Sequence, residues 1–97
     1  MQIEIAESPV TFATSLRAYA EYRAFVRLTP MADAVRVVRI HIRRHDETLC
    51  LILADLGVAG STQSWATAPE PTQAIDIAVQ RVEERIQRRL TTSVRRL

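Results

Sequence analysis

The sequence predicts an α+β fold whose elements follow the order β-α-β-β-β-α. Short segments of alternating or continuous apolar residues are typical of strands, and two longer segments have the 3.6-residue period of an amphipathic helix. Breaks that contain proline or glycine, or in one case only polar residues, separate these segments. Because the chain has only 97 residues, we expect residues 1–97 to form one domain around one modest core.

The composition is that of an ordinary globular domain. Hydrophobic residues make up 47% and charged residues 25% of the chain, and no run approaches the ~18 consecutive apolar residues of a transmembrane helix. The first residues lack the basic and apolar regions of a secretory signal. Cys50 is the only cysteine, so an internal disulfide is excluded. We therefore expect a cytoplasmic protein with no membrane partner.

Four segments have the pattern of strands. The first alternates, with Ile3 and Ile5 on one side. The second is β-branched, and its Val37-Val38 pair interrupts the alternation, which predicts a bulge or a two-sided start. The third is apolar throughout, as in a well-buried strand, and the fourth is a weaker candidate with Trp65 as its bulky residue. The four predicted strands are residues 1–6, 35–43, 48–56 and 63–67.

The first helix is predicted over residues 13–28, which contain neither glycine nor proline. It should end near Thr29-Pro30, because the residue before a proline resists the α conformation. Four larger side chains recur at helical spacing, and we expect them to form its buried stripe: Leu16, Tyr19, Tyr22 and Val26.

The second helix is predicted to begin at Pro71, since proline suits the first turn of a helix. Its apolar residues recur at intervals of four, three, four and four, so they stay within about 80° of one another around the helix axis. The predicted buried stripe is Ile75, Val79, Val82, Ile86 and Leu90.

Apart from two histidines, every basic residue of the chain is an arginine. The chain has thirteen arginines, eleven acidic residues and no lysine. A genome rich in G and C favours arginine codons, but codon bias does not explain why arginines crowd the final helix. Guanidinium groups donate paired hydrogen bonds to phosphate oxygens. One flank of that helix is therefore either a polyanion-binding surface or a solvated face: Arg81, Arg85, Arg88, Arg95 and Arg96.

Further basic residues lie on the first helix and the second strand. Arg23 and Arg27 are four residues apart beside the predicted stripe, with Arg17 further round the helix. If both helices pack on one face of the sheet, these residues and the arginine flank of the final helix would border one groove. The open face of the second strand carries three more, which either extend the basic surface or keep that face soluble: Arg39, His41 and Arg43.

Aromatic residues near this surface are assigned to packing. Aromatic rings stack on bases in proteins that bind single-stranded nucleic acid, but tyrosines at helical spacing more often belong to a core. The prediction places Tyr19, Tyr22 and Phe25 in the packing of the first helix and treats Trp65 in the same way.

No catalytic or metal-binding motif stands out. The chain has neither a glycine-rich phosphate loop nor a G-x-S-x-G motif, and Cys50 lies in an apolar strand where a thiol is usually inert. The spacing of His41, His45 and Cys50 is not a recognised zinc pattern. We expect no enzymatic activity, no metal, no cofactor and no small-molecule substrate.

Three motifs add to this order of elements. Met1-Gln2-Ile3-Glu4-Ile5 opens the chain, Leu16-Arg17 lies early in the first helix, and Ala74-Ile75-Asp76 leads into a basic final helix. In this combination the sequence resembles the short ribosome hibernation-promoting factor and ribosome-associated translation inhibitor family over essentially its whole length. The resemblance implies a four-stranded sheet with two helices packed on one face, similar to a double-stranded RNA-binding domain.

The resemblance also implies a function. Members of that family bind 16S rRNA of the small ribosomal subunit in the channel used by mRNA and tRNA, and so inhibit translation in stationary phase or stress. Glu84 stands where the family has a basic residue. Family positions and arginine spacing together predict the following rRNA-binding residues: Arg17, Arg23, Arg27, Arg81, Arg85, Arg88 and Arg89.

Two other functions fit the same charge pattern. A general RNA-binding module would recognise duplex shape through phosphates and 2′-hydroxyls, without a ribosomal partner. A protein-interaction domain would dock an acidic partner on its arginine face, or another partner on its open sheet face or an edge strand.

Overall fold

The computed structural model describes residues 1–6 and 14–95, and the order of elements in it is the predicted one. Short 3₁₀ turns follow α1 and β3. The strands and helices are β1 (Gln2–Ala6), α1 (Thr14–Leu28), β2 (Val37–Arg44), β3 (Thr48–Asp55), β4 (Ser61–Ala68) and α2 (Pro71–Arg95).

The strands form one sheet in the order β1-β2-β3-β4. β1 runs parallel to β2, as a strand–helix–strand crossover requires, and the other two pairs are antiparallel. α1 contacts β1 and α2, whereas α2 contacts β3 and β4, so the helices cover one face and leave the other open. The predicted α+β fold, with two helices on one face of a four-stranded sheet, is confirmed.

Alternate residues of the sheet point into the core. Ile40 on β2 and Ile52 on β3 are paired across the strands and are fully buried under the helices. No bulge interrupts β2, which pairs residue for residue with both neighbours. Instead, the strand begins with apolar residues on both faces, the other alternative that the sequence allowed. Val37 is half-buried on the open face, and Val38 is fully buried on the face toward the helices.

The buried stripe of α1 differs from the predicted one. Ala20, Ala24 and Leu28 recur every four residues and are fully buried, while Leu16 and Tyr19 are half-buried beside them. The other predicted packing residues lie on the outer side of the helix and are exposed: Tyr22 by 63%, Phe25 by 54% and Val26 by 43%. The prediction was wrong because it ranked side chains by size. The stripe contains small alanines, whose lack of bulk lets a helix approach its neighbours closely.

The buried stripe of α2 is as predicted. Ile75, Val79, Val82 and Ile86 are fully buried, and Leu90 is partly buried against the same core.

In the described part of the chain, no helix is long and apolar enough to cross a membrane.

β4 is longer than predicted, because all eight of its residues pair with β3. Its buried side is formed by small residues, Ser64, Ala66 and Ala68, on which α2 packs. Small residues give a weak hydropathy signal, so the sequence pattern indicated only the middle of the strand. The same alternation places Trp65 on the opposite side, where it is 57% exposed rather than packed.

The thiol of Cys50 provides a probe of this core. The residue is fully buried, and desolvation raises the pKa of the thiol to about 12. The unfolded chain loses this proton first, so the contribution of Cys50 to the free energy of unfolding should fall as the pH rises from about 9. We expect a thiol reagent at pH 8 to label Cys50 only when guanidinium chloride unfolds the protein. Rapid labelling of the native protein would contradict the buried position.

Candidate nucleic-acid interface

Two arginines of α2 bind the free edge of the sheet. Arg81 donates from Nη1 to the carbonyl oxygen of Trp65 at 2.9 Å, and Arg89 donates from Nη2 to that of Ser61 at 2.8 Å. The two arginines are eight residues apart on the helix, a rise of about 12 Å, and their two acceptors are four residues apart on the strand, a length of about 13 Å. The spacing of the donors therefore matches that of the acceptors. α2 is therefore fixed alongside β4, and two backbone acceptors of an edge strand are occupied.

The turn before β4 accommodates one of these contacts. Gly60 has a φ of 92°, which favours glycine, and a Cβ atom there would lie 3.3 Å from Nη2 of Arg89. The glycine thus leaves room for the guanidinium beside Ser61.

A groove of about 430 Å³ lies between α2 and β4. Three arginines and one carboxylate, that of Glu84, supply its charges. In the described part of the chain, neither Arg85 nor Arg88 makes a hydrogen bond or an ion pair, so both retain their full donor capacity. The residues that line the groove are Gln63, Ser64, Trp65, Arg81, Glu84, Arg85 and Arg88.

The basic surface continues toward the end of α2. A second hollow shares Arg85 and Arg88 with the groove, and Arg89, Thr62 and Thr92 also line it. The structure thus brings together Arg81, Arg85, Arg88 and Arg89 from the predicted set, in a row along the β4 side of α2. The side chain of Arg95 and all of Arg96 lie outside the described residues.

The other flank of α2 is acidic and binds α1. Arg23 Nε donates to Asp76 Oδ1 at 3.0 Å, and Arg27 Nε lies 4.0 Å from Glu83 Oε1. The Tyr19 hydroxyl donates to the same Asp76 oxygen at 2.7 Å. This hydrogen bond to a carboxylate, followed by burial, raises the pKa of Tyr19.

These contacts correct the prediction of one common groove. Arg23 and Arg27 lie between the helices with their charges balanced by α2 carboxylates, while the arginine row lies on the far side of α2. Sequence spacing placed both sets beside apolar stripes, but it could not show that α2 presents opposite charges on its two flanks to α1 and to β4.

The remaining predicted residues lie elsewhere. Arg17 lines a shallow hollow beside β1 with Ile3 and Ile5. The basic residues of β2 project from the open face of the sheet, where Arg39 Nε lies 3.1 Å from Glu4 Oε2 in an exposed ion pair. His41 and Arg43 share that face, since they alternate with the buried residues of the strand.

The predicted set of binding residues does not include Gln63 and Trp65, two neutral residues of β4 that line the groove. The sequence did contain a signal for the outward position of these two residues. They alternate with Ser64, Ala66 and Ala68, which form the small, buried side of the strand. In residues 1–6 and 14–95, no three His, Cys, Asp or Glu side chains are grouped to hold a metal ion.

Known structures share this fold. A ribosomal subunit interface protein from Coxiella burnetii has a TM-score of 0.80 and 16% identity, with 91% of this chain and 96% of that chain covered. The N-terminal domain of Protein Y from Thermus thermophilus has a TM-score of 0.77 and 22% identity, with 91% of this chain and 98% of that domain covered. No family model matches the sequence, and no curated protein is significantly similar to it. The predicted resemblance is therefore confirmed at the level of the fold.

Proposed function

We propose that this protein binds the small ribosomal subunit through 16S rRNA, in the channel used by mRNA and tRNA, and that it inhibits translation there during stationary phase or stress. The observation that carries the proposal is the arginine row on the β4 side of α2. Arg81 and Arg89 are anchored to the sheet edge, and Arg85 and Arg88 between them are available to phosphates.

The mechanism is electrostatic binding followed by steric exclusion. Arginines that neutralise rRNA phosphates release condensed counterions, which gives an affinity that is strongly salt-dependent and largely independent of sequence. Anchored guanidinium groups lose less side-chain freedom on binding than free ones, so the anchoring of Arg81 and Arg89 favours association. The bound domain excludes mRNA and tRNA by its volume, and no chemical step is involved.

The fold supports this proposal, because the two similar structures come from a protein described as a ribosomal subunit interface protein and from Protein Y. The charge of the groove supports it further, since three arginines outweigh the single carboxylate of Glu84.

Co-sedimentation tests the proposal. We expect the purified chain to pellet with 70S ribosomes and with isolated small subunits at about one copy per small subunit, and tRNA to compete with it. Binding should weaken steeply as salt rises. Arg44→Ala serves as the control, because it removes one exposed arginine at the β2–β3 turn, outside the groove.

Two results would contradict the proposal. Failure to pellet at low salt would exclude a ribosomal partner. Equal affinity for a plain RNA hairpin and for the small subunit would favour a general RNA-binding module that recognises duplex shape.

A further inference from the structure

Trp65 is the only tryptophan of the chain, and the residue is 57% exposed. Tryptophan offers the largest aromatic face of any residue, and burying it against the sheet would be favourable. An exposed indole ring is thus free to contact a partner, and the charged groups around it indicate which kind of partner it would bind.

The pleat of β4 puts the ring at the rim of the arginine groove. Ser64 and Ala66 are buried toward the helices, so Trp65 points to the other side of the strand, opposite the half-buried Leu51 on β3. β4 is an edge strand, and Trp65 is one of its residues that line the groove beside α2, so the ring projects from the strand that borders the groove.

Cationic groups surround the same position. The Trp65 carbonyl accepts a hydrogen bond from Arg81 at 2.9 Å, which fixes that guanidinium next to the residue that carries the ring. Arg85 and Arg88 line the same groove and bind no other side chain among the described residues. An aromatic face and several phosphate donors are thus presented together, the combination that single-stranded nucleic acid requires.

We propose that Trp65 stacks on an unpaired base while Arg85 and Arg88 bind the adjoining phosphates, so that the groove recognises single-stranded RNA. In a duplex, neighbouring base pairs cover both faces of each base, which leaves no face for the ring. Gln63, exposed in the same groove, offers an amide to the edge of the stacked base. The inference rests on the proposed function in taking this groove as the RNA-binding site.

The fluorescence of Trp65 reports this contact directly, because no other tryptophan contributes to the signal. We expect a single-stranded RNA 12-mer to quench the emission to saturation at low salt, and a blunt duplex of six base pairs, which has the same number of nucleotides and no unpaired base, to quench it little. Free N-acetyltryptophanamide, titrated in parallel, corrects for absorption by the RNA. Equal quenching by both RNAs, or quenching by neither, would overturn the inference. Quenching by a poly-glutamate peptide in place of RNA would also overturn it, in favour of a protein partner.

Variants separate stacking from charge. Trp65→Ala should weaken binding of the single strand about fivefold or more and leave the slope of log affinity against log salt unchanged. Trp65→Phe, which keeps an aromatic face, should retain most of the affinity. Tyr22→Ala is the control, because Tyr22 is exposed on the outer side of α1, away from the groove, and should change nothing. An undiminished affinity of Trp65→Ala would contradict the stacking role.

Different results would exclude the proposed ribosomal function and the proposed stacking of Trp65. If the chain pellets with small subunits but single-stranded RNA does not quench Trp65, the ribosomal function stands and the stacking contact is excluded. If single-stranded RNA quenches Trp65 but the chain does not pellet, stacking stands and the ribosomal partner is excluded.

Discussion

The double substitution Arg85→Ala, Arg88→Ala should flatten the dependence of log affinity on log salt by about two units for RNA or small subunits. Each arginine that neutralises one phosphate contributes about one unit of slope through the counterions it releases. Both side chains line the groove and neither has a partner among the described residues, so their loss removes no contact that holds the fold. We also expect the affinity near 0.1 M salt to fall about tenfold or more.

Two controls define this effect. Arg44→Ala removes the same charge outside the groove and should leave the slope nearly unchanged. Glu84→Gln removes the carboxylate that lies among the groove arginines, so it should strengthen binding, the opposite direction. Fluorescence anisotropy over a salt series gives both the affinity and the slope of log affinity against log salt. An unchanged slope in the double variant would exclude the arginine row as the phosphate-binding surface.

Replacing Ile75 by alanine should lower the free energy of unfolding by about 2–5 kcal/mol. Ile75 is fully buried near the start of α2, where its side chain fills the core that the helix shares with the sheet. The loss combines the transfer free energy of the removed methyl and methylene groups with the cost of an unfilled cavity. For a domain of this size it corresponds to a fall in Tm of about 10 °C or more.

Ile77→Ala makes the same chemical change two residues along the helix, where the side chain is only partly buried. We expect it to cost clearly less, and urea or thermal unfolding followed by circular dichroism compares the two variants. Equal losses would contradict the orientation of α2. Below their unfolding temperatures, both variants should keep the salt slope of the wild-type protein, because neither isoleucine lines the arginine groove.

Elements whose pattern is strong were predictable from the sequence. The stripe from Ile75 to Leu90 identified α2 and its buried side correctly, because large aliphatic residues recur there at helical spacing. The alternation of β2 identified its open face in the same way. Prediction failed where small residues are buried, namely Ala20 and Ala24 of α1 and Ser64 and Ala66 of β4, because hydropathy patterns give little weight to such side chains.

The order of elements, the apolar side of α2 and the concentration of arginines on that helix are readable from the sequence alone, since they follow from local periodicity and residue chemistry. Which arginines remain available to a partner depends on how the helices and the sheet pack together. This packing pairs Arg23 with Asp76 across the helices, whereas Arg85 lines the groove between α2 and β4. Such pairings depend on which elements pack side by side, and residues more than fifty positions apart carry no local signal of their contact.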